Sequence, residues 1–453
     1  MIVTLSVPRA RLGVASVSAT WQVALLVTLC FFAYGWLRFV TLHSQSFDLA
    51  FFDQVVWNLS RGNGFASSFI PYSFLGQHFS PALLIFVPLY WALPSPLWLV
   101  LGQSLALGIA VVPLHALGRA HLDESKAWAI VIAYSFSVGI SRAVGYDFHT
   151  ETLAVPFVFL ALLASDRGQW TLFWACAVVP VLAKEDGALV AFGVGLLVAI
   201  TSNRKVGLGL MAIAVFVALA LVLFLMPGLR EGQAVDLGSR YAYLGGGGLT
   251  GLIGALRQLT DPAALAAALT LLVGVGFLPL GRPVTLLAAL PAVGLALLSS
   301  GEYQHRLLLH YSIQATPLIV AAAIFGWRRL RDWRPVVGTA GIGLLLAGTA
   351  LLQIQLSPLT GPLGLRSDGF LDFARADRAR AAAGVIPPGA GVAAGPDVLT
   401  LLAERPVLAQ LPGANDLEWL ITDASRPLPW RPAEAGYGPV AVRGEFTVWR
   451  RQP

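Results

Sequence analysis

Two carboxylates five residues apart, Asp48 and Asp53, lie in the apolar stretch Phe47-Asp48-Leu49-Ala50-Phe51-Phe52-Asp53-Gln54-Val55-Val56-Trp57, directly after a run long enough to cross a bilayer. Acidic groups in such surroundings are costly to desolvate, which makes both candidates for catalysis or substrate binding. On a helix they stand about 140° apart and do not share a face. Asp48 suits a helix N-cap, whereas Asp53 falls within the helix, where capping gives no account of it. His78, in Gly76-Gln77-His78-Phe79-Ser80-Pro81, is either a substrate contact or a hydrogen-bonded structural histidine.

Further along, Asp147-Phe148-His149-Thr150-Glu151 places three ionisable groups in five residues, and Lys184-Glu185-Asp186 ends an apolar run with no turn residue before it. Each is either polar punctuation between spans or part of a polar cavity. A lysine at such a place is suited to holding a phosphate. Asp147 and His149 have a spacing that can bind a divalent cation, but it is no zinc signature. Arg240 and Tyr241, Glu302-Tyr303-Gln304-His305-Arg306, and His310-Tyr311 add cations and aromatic rings. Gly245 to Gly248 is not a phosphate loop, because no Gly-Lys-Ser/Thr follows. The sequon Asn58-Leu59-Ser60 lies in a predicted helix, where glycosylation is not expected.

The elements that must position these residues are membrane helices. Of 453 residues, 57% are hydrophobic and 12% charged, against roughly 25% charged in soluble proteins, which excludes a soluble globular chain. The net charge of +6 comes mostly from arginines in short clusters between apolar runs. That pattern is an orientation signal and not a nucleic-acid surface. Cys30 and Cys176 fall inside predicted spans, where neither a disulfide framework nor a metal site is expected.

The first span, Trp21 to Leu42, follows Arg9 and Arg11, has no clear small-residue cleavage site after it, and is expected to stay as an anchor with the N-terminus cytoplasmic. Pro81 to Leu93 is too short to cross and suits an interfacial or re-entrant helix. Leaving it out places Arg119, Lys126, Arg167, Arg204, Lys205, Arg282 and the Arg328 to Arg334 cluster inside, and all the acidic and histidine-bearing motifs outside. The expectation is about eleven spans, with Leu308 to Trp327 the tenth and the last ending near Gln355; several are short enough to stop below the surface and line a cavity.

Residues 1–356 therefore form an all-α polytopic membrane domain with a first external loop at 43–96, and 357–453 a small C-terminal α/β extracytoplasmic domain. In the latter, Phe370 to Ala383 has helical spacing. Gly391 to Ala394, Val407 to Leu411, Trp419 to Thr422 and Val440 to Trp449 suit short strands, and Asp397 suits the N-cap of a helix to Ala403.

In order and spacing, FDLAFFDQVVW, GQHFSPALL, YDFHTETLAVPF, KED, SRYAYLG and YQHR…HYS resemble a family of prokaryotic polytopic membrane proteins without an assigned reaction, from about Phe47 to Arg329. That family is similar to the GT-C superfamily of membrane glycosyltransferases. The resemblance implies a GT-C-like bundle, a sugar donor carried on a polyprenyl phosphate or diphosphate, an unassigned acceptor, and a catalytic carboxylate in the first external loop. Asp48 matches that position, and Asp53 is the alternative. It further implies Lys184, Arg240, His305 and Arg306 as cations for the donor phosphate. His78, Asp147, His149, Glu151, Glu185, Asp186, Tyr241, Tyr303 and His310 would line the polar cavity, with a divalent cation as a candidate cofactor. Partners would be the bilayer and the lipid-linked donor, with no nucleic acid. The rival readings are a transporter or flippase, favoured by intramembrane charges but lacking an inverted repeat, and a non-enzymatic assembly protein using its C-terminal domain.

Overall fold

The computed structural model describes residues 14–44, 46–231, 238–358, 370–413 and 416–452. Helix α1 (Val14–Val40) ends where Leu42 adopts a left-handed conformation, φ 60°. A turn later α2 (Ser46–Ser60) begins. Asp48 lies in its first turn and not at the cap expected for it. The segment Pro81 to Leu93 forms a 3₁₀ turn, Pro81–Phe86, and one short helix, Val87–Ala92.

Pro94 and Pro96 then stop the chain, since proline cannot continue a helix past its first turn. Next come α3 (Leu97–Ile109) and α4 (Val111–His121). Asp123 caps α5 (Glu124–Ser135) by accepting the Lys126 N–H at 3.0 Å, and Ser137 caps α6 (Val138–Gly145). Helix α7 (Val155–Asp166) leads through Trp170–Ala177 and Val179–Ala183 to α8 (Gly187–Thr201) and α9 (Arg204–Ala220). Asn203 caps α9, and Gly207 lets it lie against α8: a Cβ there would stand 2.3 Å from the Ala199 nitrogen.

Five helical stretches are long and apolar enough to cross a membrane: Ser18–Val40, Leu97–His121, Glu124–Gly145, Arg204–Leu229 and Gly338–Leu356. Pro81–Ala92, Trp170–Ala183, Gly187–Thr201 and Pro262–Val273 are shorter apolar helices. Side chains such as Phe216 and Phe224 stay exposed on Arg204–Leu229, the longest of the five, as lipid-facing residues do, because a bilayer gives no hydrophobic drive to bury them.

Before Asp261 the chain forms an amphipathic helix, α10 (Gly248–Thr260). The helix expected from Leu308 starts later, as α11 (Thr316–Trp333), so His310 and Tyr311 sit in the turns before it. Helix α12 (Pro335–Leu356) completes the bundle.

The C-terminal domain carries α13 (Phe373–Ala383) and strands β1 (Val392–Ala394), β2 (Leu408–Gln410), β3 (Trp419–Asp423), β4 (Tyr437–Arg443) and β5 (Phe446–Arg451) in the order β2-β1-β3-β5-β4. The first three are parallel, and β5 and β4 complete the sheet antiparallel. The single strand expected from Val440 to Trp449 is thus a hairpin, turned at Gly444 with φ +59°. Ala376, Ala379 and Ala382 of α13 pack on Val392, Ile421 and Val448. The same apolar cluster takes in Leu42 and Ala50, so the domain is seated on the start of α2.

Candidate functional site

The site is assembled by short turns at one end of the bundle. Gln103, buried in α3, donates to the Asp147 carbonyl at 2.8 Å and accepts the His149 N–H at 3.0 Å, which fixes the turn after α6. Asp147 is in the left-handed region at φ 69°, a conformation aspartate tolerates better than most residues. Its carboxylate faces Arg38 at 3.5 Å. That turn aims His149 at α2, where its Nε2 lies 4.0 Å from Asp48 Oδ2.

His149 and His310 stack with ring centroids 3.6 Å apart, and Tyr146 stacks alongside both. Leu307 and Leu309 hold positive φ on the way to His310, conformations that cost about 1–3 kcal/mol each and persist where surroundings dictate them. Arg142 contributes by donating to the Leu307 carbonyl at 3.0 Å.

Glu151 is the hub below the histidines. Lys184 Nζ stands 2.6 Å from its Oε1, and His310 Nε2 stands 4.0 Å from the same oxygen. Asp186 is 3.7 Å from Lys184 and accepts from Gln314 at 2.5 Å. Glu185 turns the other way: it lies 3.0 Å from His78 Nδ1 and accepts the Phe79 N–H at 2.9 Å, which pins the first loop to the centre.

Asp48, His78, Asp147, His149, Glu151, Lys184, Glu185, Asp186 and His310 are therefore brought together. Gln304, which shares a small cavity with Glu151, Lys184, Asp186 and His310, accepts from Arg240 at 3.0 Å, and Tyr241 is next to it. The remaining expected residues go elsewhere. Tyr303 is 59% exposed, Arg306 pairs with Glu302 on the surface, and His305 is spanned between the Leu297 carbonyl and Asp261.

Asp53 is fully buried on another face of α2. It accepts the Tyr90 hydroxyl at 2.6 Å, and its Oδ2 has no hydrogen-bond partner. This helix lies outside the long apolar spans. Burial, and then the Glu404 carboxylate of the C-terminal domain, push the Asp53 carboxyl well above the usual range against the Tyr90 hydrogen bond. Next to it, Gln54 donates to the Arg405 carbonyl at 3.0 Å and accepts from Ser67 and the Ser68 N–H. Ser68 in turn bonds both backbone groups of Leu408.

Arg38, Gln103, Gln304 and Gln314 are not among the site residues expected from sequence. Gln103 carried a usable signal, a lone amide in the middle of a membrane-length apolar run.

Among the described residues no group of three or more His, Cys, Asp or Glu is arranged to hold a metal ion. Asp147 and His149 in particular diverge, one carboxylate to Arg38 and one ring to Asp48. By contrast His149 Nδ1, His310 Nδ1 and Glu151 Oε2 are buried without a protein partner. Each such atom costs about 1–3 kcal/mol where its hydrogen bond stays unmade. An apolar cavity of about 1190 Å³ has Pro81 and Leu153 in its wall, whose chain neighbours Ser80 and Thr152 are buried, and none of the polar residues gathered at the centre lines it.

Residues 38–432 match the family described as predicted membrane protein (DUF2079). The chain belongs to that family. A comparison with curated proteins finds no match. Family membership and the apolar helices make this a membrane protein.

Proposed function

We propose that this family member is a membrane glycosyltransferase that moves a sugar from a polyprenyl-phosphate-type lipid to an acceptor on the extracytoplasmic face, within a bundle of about eleven spans whose N-terminus is cytoplasmic and whose C-terminal domain is external. The observation that supports it most is a polar centre with unpartnered buried atoms in the same bundle as an apolar cavity whose wall includes Leu153, two residues along the chain from Glu151. A substrate that is polar at one end and a long hydrocarbon at the other fits both at once.

Asp48 is the better base of the two carboxylates. Its side chain is 30% exposed beside His149, whereas Asp53 is sealed. Asp48 takes the proton of an acceptor hydroxyl as that oxygen attacks the anomeric carbon. The bond from that carbon to the phosphate oxygen breaks, and the phosphate leaves with the electron pair, which inverts configuration. Developing negative charge on the phosphate needs cations, and of the four expected for it Lys184 and Arg240 are the two held at the centre. Lys184 already faces Glu151 and Asp186, so it helps by sharing its donors between carboxylate and phosphate. No step here runs through a metal, because the acidic and imidazole groups do not form a chelating set.

The test is profiling of lipid-linked saccharides in a strain lacking the protein and complemented with wild type or Asp48→Asn. Accumulation of one polyprenyl-phosphate sugar in both the deletion and the Asp48→Asn strain, cleared by wild type, is expected. Unchanged lipids with intact surface glycans would sink the proposal, and movement of an unaltered lipid across vesicles would replace it with transport.

A further inference from the structure

The C-terminal domain has a crevice of its own, about 220 Å³. It is lined by residues 395–398 after β1, residues 411–412 after β2, and residues 421–423 and 426–429 at the end of β3 and beyond. These are the carboxyl ends of all three parallel strands, and the order β2-β1-β3 places β1 where the chain switches from one side of the sheet to the other. Open α/β sheets bind ligands in that position.

The chemistry follows from which charges are already committed. Arg375 of α13 reaches Asp397 Oδ2 at 2.9 Å and Asp423 Oδ2 at 2.6 Å. Asp423 Oδ1 accepts the Ser425 N–H and hydroxyl at 2.8 and 2.7 Å, so that carboxylate is complete. Asp397 is not the cap expected for the following helix; Gly395 occupies the cap. Its Oδ1 faces Arg426 at 3.2 Å, and the Arg426 side chain is 58% exposed. This pair can open without stranding a buried charge, because Arg375 stays on Asp397 and Arg426 swings into water. Opened, it presents one cation and one anion above walls made by Val398, Leu411, Ile421 and Leu428.

We propose that the crevice binds a small zwitterion with an aliphatic side chain, an α-amino acid in chemical class: Arg426 takes its carboxylate, Asp397 Oδ1 its ammonium, and the apolar walls its side chain. A zwitterion replaces one ion pair with two and keeps the charge balance. An anion alone would leave Asp397 Oδ1 unmatched, and a cation alone would forgo the Arg426 fork. The volume, below the roughly 300 Å³ at which drug-sized pockets begin, limits the ligand to about one residue.

The experiment titrates the full chain in lipid nanodiscs with L-leucine, leucinamide and 4-methylpentanoate, read by saturation-transfer NMR. Leucine should bind saturably, and each analogue, lacking one charge, should bind about tenfold more weakly. Arg426→Gln, at an exposed side chain, should abolish the preference for leucine over leucinamide. Asp397→Asn should abolish the preference over 4-methylpentanoate, with thermal unfolding confirming that both variants fold. Equal binding of all three probes, wild-type leucine binding by Arg426→Gln, or no saturation by about 10 mM leucine would each overturn the assignment.

Discussion

On one side of α2, Asp48 is partly open and looks across 4.0 Å to a histidine that is itself stacked on another histidine. On a different face, Asp53 is closed off by Tyr90 and by the C-terminal domain, five residues further along the same helix. The polar centre leaves buried atoms of three residues, His149, His310 and Glu151, without protein partners, whereas on the docking face Asp53 Oδ2 is so left beside Gln54 and Ser68, which both take partners from the domain. A surface whose hydrogen bonds are made by the protein holds the protein together; one with several left over is arranged for something else to complete. Under the proposed function, Asp48 exchanges with substrate, while the face bearing Asp53 holds the domain.

The largest expected effect separates the two carboxylates directly. Asp48→Asn should lower sugar transfer by about 10²–10⁴-fold, the usual worth of a positioned base, while Asp53→Asn keeps transfer near wild type. The measurement is release of polyprenyl phosphate by each variant in reconstituted vesicles. Equal loss from both would erase the distinction between the two faces.

Next in size is the pair at the hub. Lys184 and Glu151 are 12% and 4% exposed, so removing one partner strands a buried charge. Lys184→Met or Glu151→Gln alone should destabilise the protein by about 3–5 kcal/mol, and the double variant by less than either. Thermal unfolding in detergent distinguishes this from a surface pair, for which all three values would fall within about 1 kcal/mol.

On the docking face, Gln54→Ala removes bonds to Ser67, Ser68 and Arg405 together. A loss of about 1–3 kcal/mol is expected, concentrated where the domain meets the bundle. Hydrogen exchange should therefore quicken around Leu408 and residues 66–69 while α8 and α9 keep their protection. Uniform loss across the molecule would mean that the contact is not a separable joint.

How far these faces were legible in the sequence differs for physical reasons. The apolar runs revealed most helices, and the charges of Asp147 to Glu151 and Lys184 to Asp186 were conspicuous because little else in those stretches is polar. Their convergence followed from counting which end of each run they occupied. The burial of Asp53 was not legible, because its neighbour Glu404 comes from the other end of the chain. Arg306 and Tyr303 misled: around a one-turn helix, Glu302–His305, Tyr303 and the Glu302–Arg306 ion pair face outward, and composition does not record direction. The hairpin at Gly444 was missed although Gly444-Glu445, residue types depleted in strands, interrupt the run between Val442 and Phe446.

The smallest effect is a pH dependence carried by Asp53. Its folded carboxyl titrates well above its unfolded value, by burial first and Glu404 second, so between those two pH values the folded chain holds a proton that the unfolded chain has lost. Stability must then fall as pH rises through that window, and it is unaffected below the unfolded value of about 4, where both states are protonated. Asparagine at this position still accepts the Tyr90 hydroxyl and carries no ionisable proton. The unfolding temperature of Asp53→Asn should therefore match wild type near pH 4 and exceed it increasingly towards pH 8. A difference that stays flat, or shrinks with rising pH, would show that the carboxylate is stabilised where it sits, and Asp53 would again compete with Asp48 for the catalytic role.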